Sequence, residues 1–163
     1  MDQARFTAFY HETAAGLRGY IRRVSGDWQA ADDLVQEAYV RFLRAHPAVE
    51  DSAAMKAYLY KSATAAIYDR WRKKRNERLW RLNFRFREET PPDPGEGDVT
   101  RCFRELKPRE RALLWLAYVE GCAHGEIAAA LDLREKSVKV LLYRARRNLE
   151  RILRQNGLSE VES

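Results

Sequence analysis

The chain has 163 residues, of which 45% are hydrophobic and 33% charged, and its formal net charge is +6. This suits one ordinary domain or two small ones with real cores, while the lack of a long apolar run or apolar leader predicts a cytoplasmic protein without membrane insertion. Two cysteines and three scattered histidines lack metal-ligand spacing, so we expect no metal or other cofactor.

The positive charge is divided into two basic blocks that flank an acidic stretch. Residues 1–87 hold 17 Lys/Arg against 10 Asp/Glu, residues 88–100 hold none against 5, and residues 101–163 hold 13 against 9. This division predicts a polyanionic partner that is contacted at two places. Surface charge that serves only solubility is the simpler alternative.

Two amphipathic helices are predicted within the first 45 residues. Apolar side chains recur at steps of three and four from Phe6 to Val24, and a second helix covers residues 30–45. On the polar side of the second helix, Asp33 and Glu37 stand one turn apart beside Gln36, which favours a cationic partner. The acids at the start of this helix could equally complement its dipole, whereas a nuclease metal site is disfavoured because no other segment supplies a matching acidic cluster.

A polar loop is predicted over residues 49–55, and the next helix is expected to begin near Lys56. Residues 70–87 of that segment hold nine basic residues and one acidic residue, with aromatic residues between them. Cations attract phosphate and flat rings accept unstacked bases, so the cluster as a whole favours nucleic acid, although any single ring is more typical of a core. The aromatic residues are Trp71, Trp80, Phe84 and Phe86.

Residues 88–100 predict an acidic linker, because they contain three of the five prolines, two glycines and five acids. Fully extended, this segment reaches roughly 43 Å at about 3.3 Å per residue. That length lets the two basic blocks bind well-separated points on one duplex.

A helix-turn-helix is predicted over residues 124–153, supported by a helix that begins at Pro108. Its first helix breaks at Asp132, and Val138 lies at the centre of the buried stripe of the second. The opposite side of the second helix suits a DNA groove. That side carries Lys136, Val140, Tyr143 and Arg147. The tail over residues 156–163 is expected to fray.

Several short motifs occur in a fixed order along the chain. The first block contains Ala31-Asp32-Asp33-Leu34-Val35-Gln36-Glu37-Ala38-Tyr39, Ala57-Tyr58-Leu59-Tyr60 and Asp69-Arg70-Trp71-Arg72. The second contains Leu106-Lys107-Pro108, Glu120-Gly121, Glu126-Ile127-Ala128, Val138-Lys139 and Tyr143-Arg144-Ala145-Arg146. Together they resemble, over nearly the whole chain, the signature of a bacterial sigma factor of the extracytoplasmic-function (ECF) subfamily of sigma-70-type sigma factors.

The chain departs from the pattern of that family at four positions. Ala65 stands where the family has an Asn that holds a promoter base, and Asp132 replaces a Gly in the helix-turn-helix. Ala123 and Arg134 occupy positions where helix-capping residues are usual. Each missing cap costs about 1 kcal/mol, so we expect these two helices to begin loosely until DNA binds.

The resemblance implies an all-α fold of two small helical domains joined by a linker. Residues 1–87 would form sigma region 2, residues 88–100 the linker, and residues 101–163 the helix-turn-helix domain of sigma region 4. The implied function is that of a non-catalytic factor that binds core RNA polymerase and directs promoter-specific initiation. Core polymerase and promoter DNA would be its partners, with an anti-sigma factor as a further one, and the idle domains would be covered by that factor or by each other.

The resemblance also implies roles for individual residues. Polymerase would be bound by Asp33, Gln36 and Glu37. The minus-ten element would be met by an unstacked-base pocket at Asp51, Ser52, Ala53 and Ala54, and by phosphate contacts from Arg70, Arg72, Lys73, Lys74 and Arg75. Base edges of the minus-thirty-five element would be read by Lys136, Lys139, Val140 and Tyr143, with phosphate held by Arg144 and Arg147. A stand-alone helix-turn-helix regulator is the alternative, but it has no need of the acidic pair at Asp33 and Glu37.

Overall fold

The computed structural model consists of packed α-helices. It describes residues 1–45, 51–83 and 96–158, with only the backbone given for residues 80–83, and these ranges contain no β-strand. The predicted all-α fold is therefore confirmed. In chain order the helices are α1 (Gln3–Ser25), α2 (Ala31–Ala45), α3 (Ser52–Asn83), α4 (Asp98–Arg104), α5 (Pro108–Tyr118), α6 (His124–Leu131) and α7 (Glu135–Gln155).

Helices α1, α2 and α3 pack against one another to form the N-terminal unit. Helix α1 ends because Gly26 adopts the left-handed conformation, with φ of 66°, and the chain then turns into α2. Each fully buried aliphatic or aromatic side chain stabilises such a core by about 1.5–3 kcal/mol. Because these side chains hold one side of α2 and of α3 against the core, the opposite sides of the two helices face outwards. The largest buried side chains of this unit are Leu17, Tyr20, Ile21, Leu34, Phe42, Leu59 and Ile67.

Helices α4 to α7 form the C-terminal unit, in which α5, α6 and α7 contact one another. Ile127 of α6 and Val138 of α7 are completely buried between these helices. Asp132 joins α6 to α7 in the left-handed conformation, with φ of 55°, as the one non-glycine residue of positive φ in the described ranges. A short polar side chain tolerates this conformation, so the turn stays tight without glycine. The predicted helix-turn-helix is thus present as α6 and α7.

The two units lie against each other, with α1 and α3 on one side and α5 and α6 on the other. The buried guanidinium of Arg111 donates to the carbonyl of Val24 at the end of α1, at 2.7 Å, and to two carbonyls of its own unit, at 2.8 and 2.6 Å. Burial lowers the pKa of Arg111 to about 10. Elsewhere in the interface the Tyr60 hydroxyl donates to Glu120 Oε1 at 3.0 Å.

Residues 52–55 do not form the predicted loop. They are the first turn of α3, and the Met55 side chain is buried. Asp51 starts the helix, since its carboxylate accepts the Ala53 N–H at 3.2 Å and its carbonyl accepts the Met55 N–H at 2.9 Å. The loop prediction was wrong because a weak apolar period hid a good helix start, an aspartate cap followed by a serine and two alanines. Residues 49–50 lie outside the described residues.

Helix α4 begins at Asp98, so the last three residues of the predicted linker are helical. Just before it, the nearly buried carboxylate of Glu96 accepts a hydrogen bond from Arg104 at 2.9 Å. A helix of seven residues is too short to give a clear apolar period, which is why the sequence did not reveal it. The predicted linker residues 88–95 and tail residues 159–163 lie outside the described ranges. Within those ranges, no helix has the length and apolarity that crossing a membrane requires.

Candidate nucleic-acid and protein-binding surfaces

The exposed side of α7, called here the α7 face, presents the side chains that were predicted to read DNA. Val138, Leu142 and Ala145 are buried against the rest of the unit, so the side chains half a turn away point outwards. Val140 and Tyr143 are 49% and 54% exposed. Such a mixture of cations with apolar and aromatic groups matches the phosphates, base edges and thymine methyls of a major groove. The α7 face comprises Lys136, Lys139, Val140, Tyr143, Arg144 and Arg147.

Most cations of the α7 face have no carboxylate partner within the described part of the chain. Arg147 has one, Glu150, at 3.7 Å, but both side chains are more than half exposed and water screens the pair. Lys136, Lys139 and Arg144 form no ion pair in the described ranges. Their charges are therefore available to a polyanion.

Helices α6 and α7 begin without a side-chain cap, as the sequence predicted. The N-cap residues are Ala123 and Arg134, and neither side chain accepts a backbone N–H. At α6, Glu126 compensates by accepting the Ala123 N–H at 2.8 Å, which is half of a capping box. The first turn of α7 lacks such a bond, so its leading N–H groups remain unsatisfied by side chains at the end that would enter a groove.

A second basic surface, called here the α3 basic segment, covers residues 70–75. The Arg75 guanidinium lies 5.0 Å from the centre of the Trp71 ring, a cation–π contact that holds both groups at the surface. Lys73 is exposed and has no ion-pair partner among the described residues. The other three cations, Arg70, Arg72 and Lys74, are bound to carboxylates of the protein itself. The Trp80 side chain, Phe84 and Phe86 lie outside what the structure describes.

Asp69 binds one of these cations and links α3 to α2. It accepts from Arg72 at 2.5 Å and from Arg41 at 2.9 Å, while Arg41 also donates to Glu37 at 2.7 Å. The hydrogen bond from Arg41 above all, with that from Arg72, holds the pKa of the Asp69 carboxyl below its usual value. The four residues form a chain of alternating charge from the polar face of α2 to the α3 basic segment.

Asp27 binds the other two cations from the turn between α1 and α2. Its Oδ1 accepts the Ala30 N–H at 3.2 Å, and its Oδ2 accepts from Lys74 and lies 3.7 Å from Arg70 Nη2. Burial raises the pKa of this carboxyl, but the hydrogen bond and charge of Lys74, with the Ala30 N–H and Arg70, outweigh that effect and leave the pKa below its usual value. Asp27 is therefore ionised at neutral pH.

The two predicted minus-ten groups, residues 51–54 and 70–75, are not brought together. Both belong to the α3 region. Ser52 of the first group and Arg70 of the second are separated along the helix by about 27 Å, at 1.5 Å per residue. Asp51, Ser52 and Ala53 are exposed, whereas Ala54 is half-buried because it lies in a helix rather than a loop. Ala65, which replaces the expected Asn, is exposed on the same helix between the two groups.

The polar side of α2, called here the α2 face, carries Asp33, Gln36 and Glu37 in exposed positions. One turn further, Val40 continues the same face and is 42% exposed. An apolar group surrounded by polar ones is typical of a protein interface, and the acids favour a cationic partner. Arg41 already neutralises part of the charge of Glu37, so Asp33 is the less compensated acid.

The described residues offer binding surfaces rather than clusters of reactive groups. Within them, no three or more His, Cys, Asp or Glu side chains are grouped so that they could hold a metal ion. Cys102 is buried, Cys122 is half-buried, and neither forms a disulfide. Burial raises the pKa of the Cys122 thiol.

Three residues with structural importance were missed in the sequence. Asp27, Arg41 and Arg111 reach partners that lie 47, 28 and 87 positions away, and no local pattern encodes such pairs. A signal existed only for Asp27, because an aspartate just after a glycine at a helix end is a favoured cap for the next helix.

These features define a class: an all-helical protein of two units, with a basic surface on each and a helix-turn-helix in the second. Comparison with models of protein families agrees with both halves. Sigma-70 region 2 matches residues 9–77, and Sigma-70, region 4 matches residues 96–149. The two matches occur in the order that the motifs predicted.

Curated relatives cover nearly the whole chain. The ECF RNA polymerase sigma factor SigL of Mycobacterium tuberculosis is 29% identical over 167 residues, covering 97% of this chain and 94% of that protein. The ECF RNA polymerase sigma factor SigF of Caulobacter vibrioides is 29% identical over 160 residues, covering 93% and 89%. The sigma factor RpoE of Bartonella quintana, solved in complex with the anti-sigma factor NepR, shares the fold with a TM-score of 0.73 and 22% identity, over 92% of this chain and 97% of that one.

The chain belongs to the ECF subfamily of sigma-70-type sigma factors. Its function is therefore to bind core RNA polymerase and to direct promoter-specific initiation of transcription. A stand-alone helix-turn-helix regulator is not favoured, because the first half of the chain matches sigma region 2. Sigma factors in general are initiation factors without enzymatic activity.

Proposed function

We propose that this sigma factor docks on core RNA polymerase through the α2 face, binds the minus-ten element through α3 and reads the minus-thirty-five element through the α7 face. One observation supports this division above all. Surfaces of three different chemistries lie on three different helices. The α2 face is acidic with an exposed valine, three of the five cations of the α3 basic segment are paired with carboxylates, and the α7 face is basic with one exposed pair among the described residues. The domains would be residues 1–87 and 101–163, joined by residues 88–100, of which residues 98–100 already belong to α4.

On α3 we assign two separate tasks. Asp51, Ser52, Ala53 and Ala54 would meet an unstacked base of the non-template strand, now as the exposed start of a helix. The α3 basic segment would hold phosphates about 27 Å away along the same helix. Ala65 lacks the amide that other family members offer to a promoter base, so we expect an unusual minus-ten preference.

On α7 the division is between base edges and phosphates. Lys136, Lys139, Val140 and Tyr143 would read bases in the major groove, with Val140 against a thymine methyl. Arg144 and Arg147, further along the helix, would bind phosphate. The exposed side chain of Val140 stabilises the free protein little, whereas it would contribute to DNA binding through contact with a thymine methyl group.

We further propose that the protein performs no catalysis of its own and acts in the cytoplasm, where its polymerase and promoters are found. An anti-sigma factor is proposed as a regulatory partner by analogy with RpoE, which was solved bound to NepR. Such a partner would cover charged and apolar faces that the free chain leaves exposed.

Reversal of the acidic pair tests the polymerase assignment. The double variant Asp33→Lys, Glu37→Lys should weaken association with core polymerase by about tenfold or more, because it places like charges against a cationic partner. Glu12→Lys, with half of that change in net charge, is the control for a single reversal such as Asp33→Lys, since it reverses an exposed acid of α1 outside the α2 face. Association is measured by titration of labelled full-length chain with core polymerase.

The outcome separates the two candidate functions. If the double variant and the Glu12→Lys control bind polymerase equally well, the α2 face is not the docking surface. If neither they nor the wild-type chain binds polymerase while specific DNA binding persists, the chain acts as a stand-alone regulator. Helix content and thermal unfolding of each variant confirm that it is folded before binding is compared.

A further inference from the structure

Asp27 is a nearly buried acidic residue that binds two cations of the α3 basic segment, the segment assigned to DNA. It follows the left-handed Gly26 at the end of α1, and its side chain is 10% exposed. One carboxylate oxygen caps the start of the α2 segment through the Ala30 N–H. The turn therefore fixes where this carboxylate points.

The other oxygen of Asp27 faces α3. Lys74 and Arg70 both point their cationic groups at Oδ2 and lie one helical turn apart, so the carboxylate bridges the α1–α2 turn to two successive turns of α3. Both cationic side chains are less than half exposed, at 45% and 42%. A carboxylate as buried as this one requires such partners to remain charged.

The remaining cations of the α3 basic segment have different surroundings. Arg72 is two positions from Arg70 and from Lys74, so it projects from the opposite side of the helix, where it binds the half-exposed Asp69. Arg75 lies over Trp71, and Lys73 has no ion-pair partner among the described residues. Two cations are thus held by a nearly buried carboxylate, while the other three are not.

We propose that Asp27 is a positioning residue for promoter binding: it retains Arg70 and Lys74 on the α1–α2 turn, so that phosphate is met by Arg72, Lys73 and Arg75. This inference rests on the proposed role of α3 in DNA binding and narrows it. The five cations then form two groups, one that orients the helix and one that contacts DNA.

The physical reason is the difference between the two kinds of pair. If Lys74 left Asp27 for a phosphate, a buried carboxylate would lose its hydrogen-bonded partner, which is costly in a poorly hydrated site. The gain would be one exposed ion pair, which is worth little in water. Asp69 is half exposed and keeps Arg41 when Arg72 moves, so Arg72 exchanges its partner more easily.

The salt dependence of DNA binding distinguishes positioning from phosphate contact. Each cation that neutralises a phosphate adds about 0.9 on duplex, or about 0.7 on single strands, to the slope of log affinity against log salt concentration. Lys73→Gln should therefore lower the slope by that amount. Over a fourfold rise in salt concentration, the affinity of this variant for DNA should then fall by a factor about three times smaller than that of the wild-type chain. Lys74→Gln should leave the slope unchanged, because Lys74 does not contact phosphate.

Asp27→Asn tests the same inference from the acidic side. Asparagine still caps the helix, but it releases Arg70 and Lys74, so the slope should steepen by up to about twice the contribution of one cation. The double variant Asp27→Asn, Lys74→Gln should lose half of that increase. Asp2→Asn is the matched control, because Asp2 is an exposed cap of α1 and the change in net charge is the same. A role in stability alone would lower affinity without steepening the slope.

Binding is measured with full-length chain and promoter fragments, with and without core polymerase. Equal slope losses in Lys74→Gln and Lys73→Gln, or equal slopes in Asp27→Asn and Asp2→Asn, overturn the inference. If Asp27→Asn does not fold, as judged by thermal unfolding, the comparison of Lys73→Gln with Lys74→Gln decides. If the wild-type chain fails to bind polymerase but the salt slopes on DNA behave as stated, only the proposed function is contradicted. If the chain binds no DNA either with or without polymerase, the proposed function and this inference are both overturned.

Discussion

The two basic surfaces of the molecule carry similar numbers of cations but differ in what those cations bind in the free protein. On α3, Arg70 and Lys74 are held by Asp27, and Arg72 is held by Asp69. On the α7 face the charged groups extend into water, apart from one weak and exposed pair. We therefore expect the α3 surface to be arranged before DNA binds, and the side chains of the α7 face to become ordered only on contact.

This difference fits the tasks proposed for the two surfaces. The ion pairs of Arg70 and Lys74 fix α3 against the α1–α2 turn before binding, which suits a helix that must hold strands in one geometry while they separate. Long free side chains lose conformational freedom on binding, but they can adjust to base edges of a particular sequence. The chain would thus bind DNA through a rigid surface on α3 and through an adaptable one on α7.

The largest expected effect comes from removing a buried side chain against which α7 packs. Ile127 of α6 is completely buried within the helix-turn-helix, so Ile127→Ala should destabilise the C-terminal unit by about 2–5 kcal/mol. Binding to the minus-thirty-five element should fall with it, while contacts made by α3 persist. Urea unfolding and binding to fragments that carry only one of the two elements measure these effects.

The conservative variant Ile127→Val provides the control for that experiment. It should cost only about 0.5–1.5 kcal/mol and leave binding to both elements intact. An equal loss of binding to the two elements in Ile127→Ala would show that the two surfaces do not act independently.

A smaller effect sharpens the comparison within the α7 face. Lys139→Ala should change base preference at one promoter position by about 1–3 kcal/mol, because a base-edge contact is lost. Arg147→Ala should weaken binding to all sequences alike and reduce the salt slope by about one. Affinities for a set of promoter variants at several salt concentrations separate the two results, and identical behaviour would mean that the face is rotated from the assignment given above.

The smallest expected effect is the dependence of stability on pH that Asp27 contributes. The pKa of Asp27 is below its ordinary value, so its contribution to the free energy of unfolding is complete above about pH 4 and is lost as pH falls through the lowered pKa. Wild-type chain should therefore lose more stability below pH 4 than Asp27→Asn does. Urea unfolding at a series of pH values measures the difference, and parallel curves for the two proteins would contradict it.

Much of the helical framework could be predicted from the sequence, because its signals are local. The apolar period and Gly26 placed the end of α1 correctly, and the break at Asp132 placed the turn between α6 and α7. Where local signals were weak the prediction was wrong, as at residues 52–55, or absent, as for α4. A cap followed by alanines and a seven-residue helix leave little periodicity to detect.

The candidate surfaces were predicted as sets of residues, but not in their internal pairing. Exposure of Val140 and Tyr143 followed from their position opposite Val138. The partners of Arg70 and Lys74 did not, because Asp27 is distant in sequence and meets them only after α1 and α3 have packed. Charge composition shows that a segment is basic, whereas tertiary structure decides which of its charges are still available.

The hydrogen bonds of Arg111 bear on how the two units could separate. Only one of its three hydrogen bonds crosses to the other unit, at Val24, and the other two stay within its own unit. If the units part to reach two distant promoter elements, the guanidinium remains anchored, and the crossing bond, worth about 1.5–3 kcal/mol for a charged donor, is exchanged for water. We expect this contact to open without unwinding a turn of helix on either side, because the other two hydrogen bonds stay within the C-terminal unit.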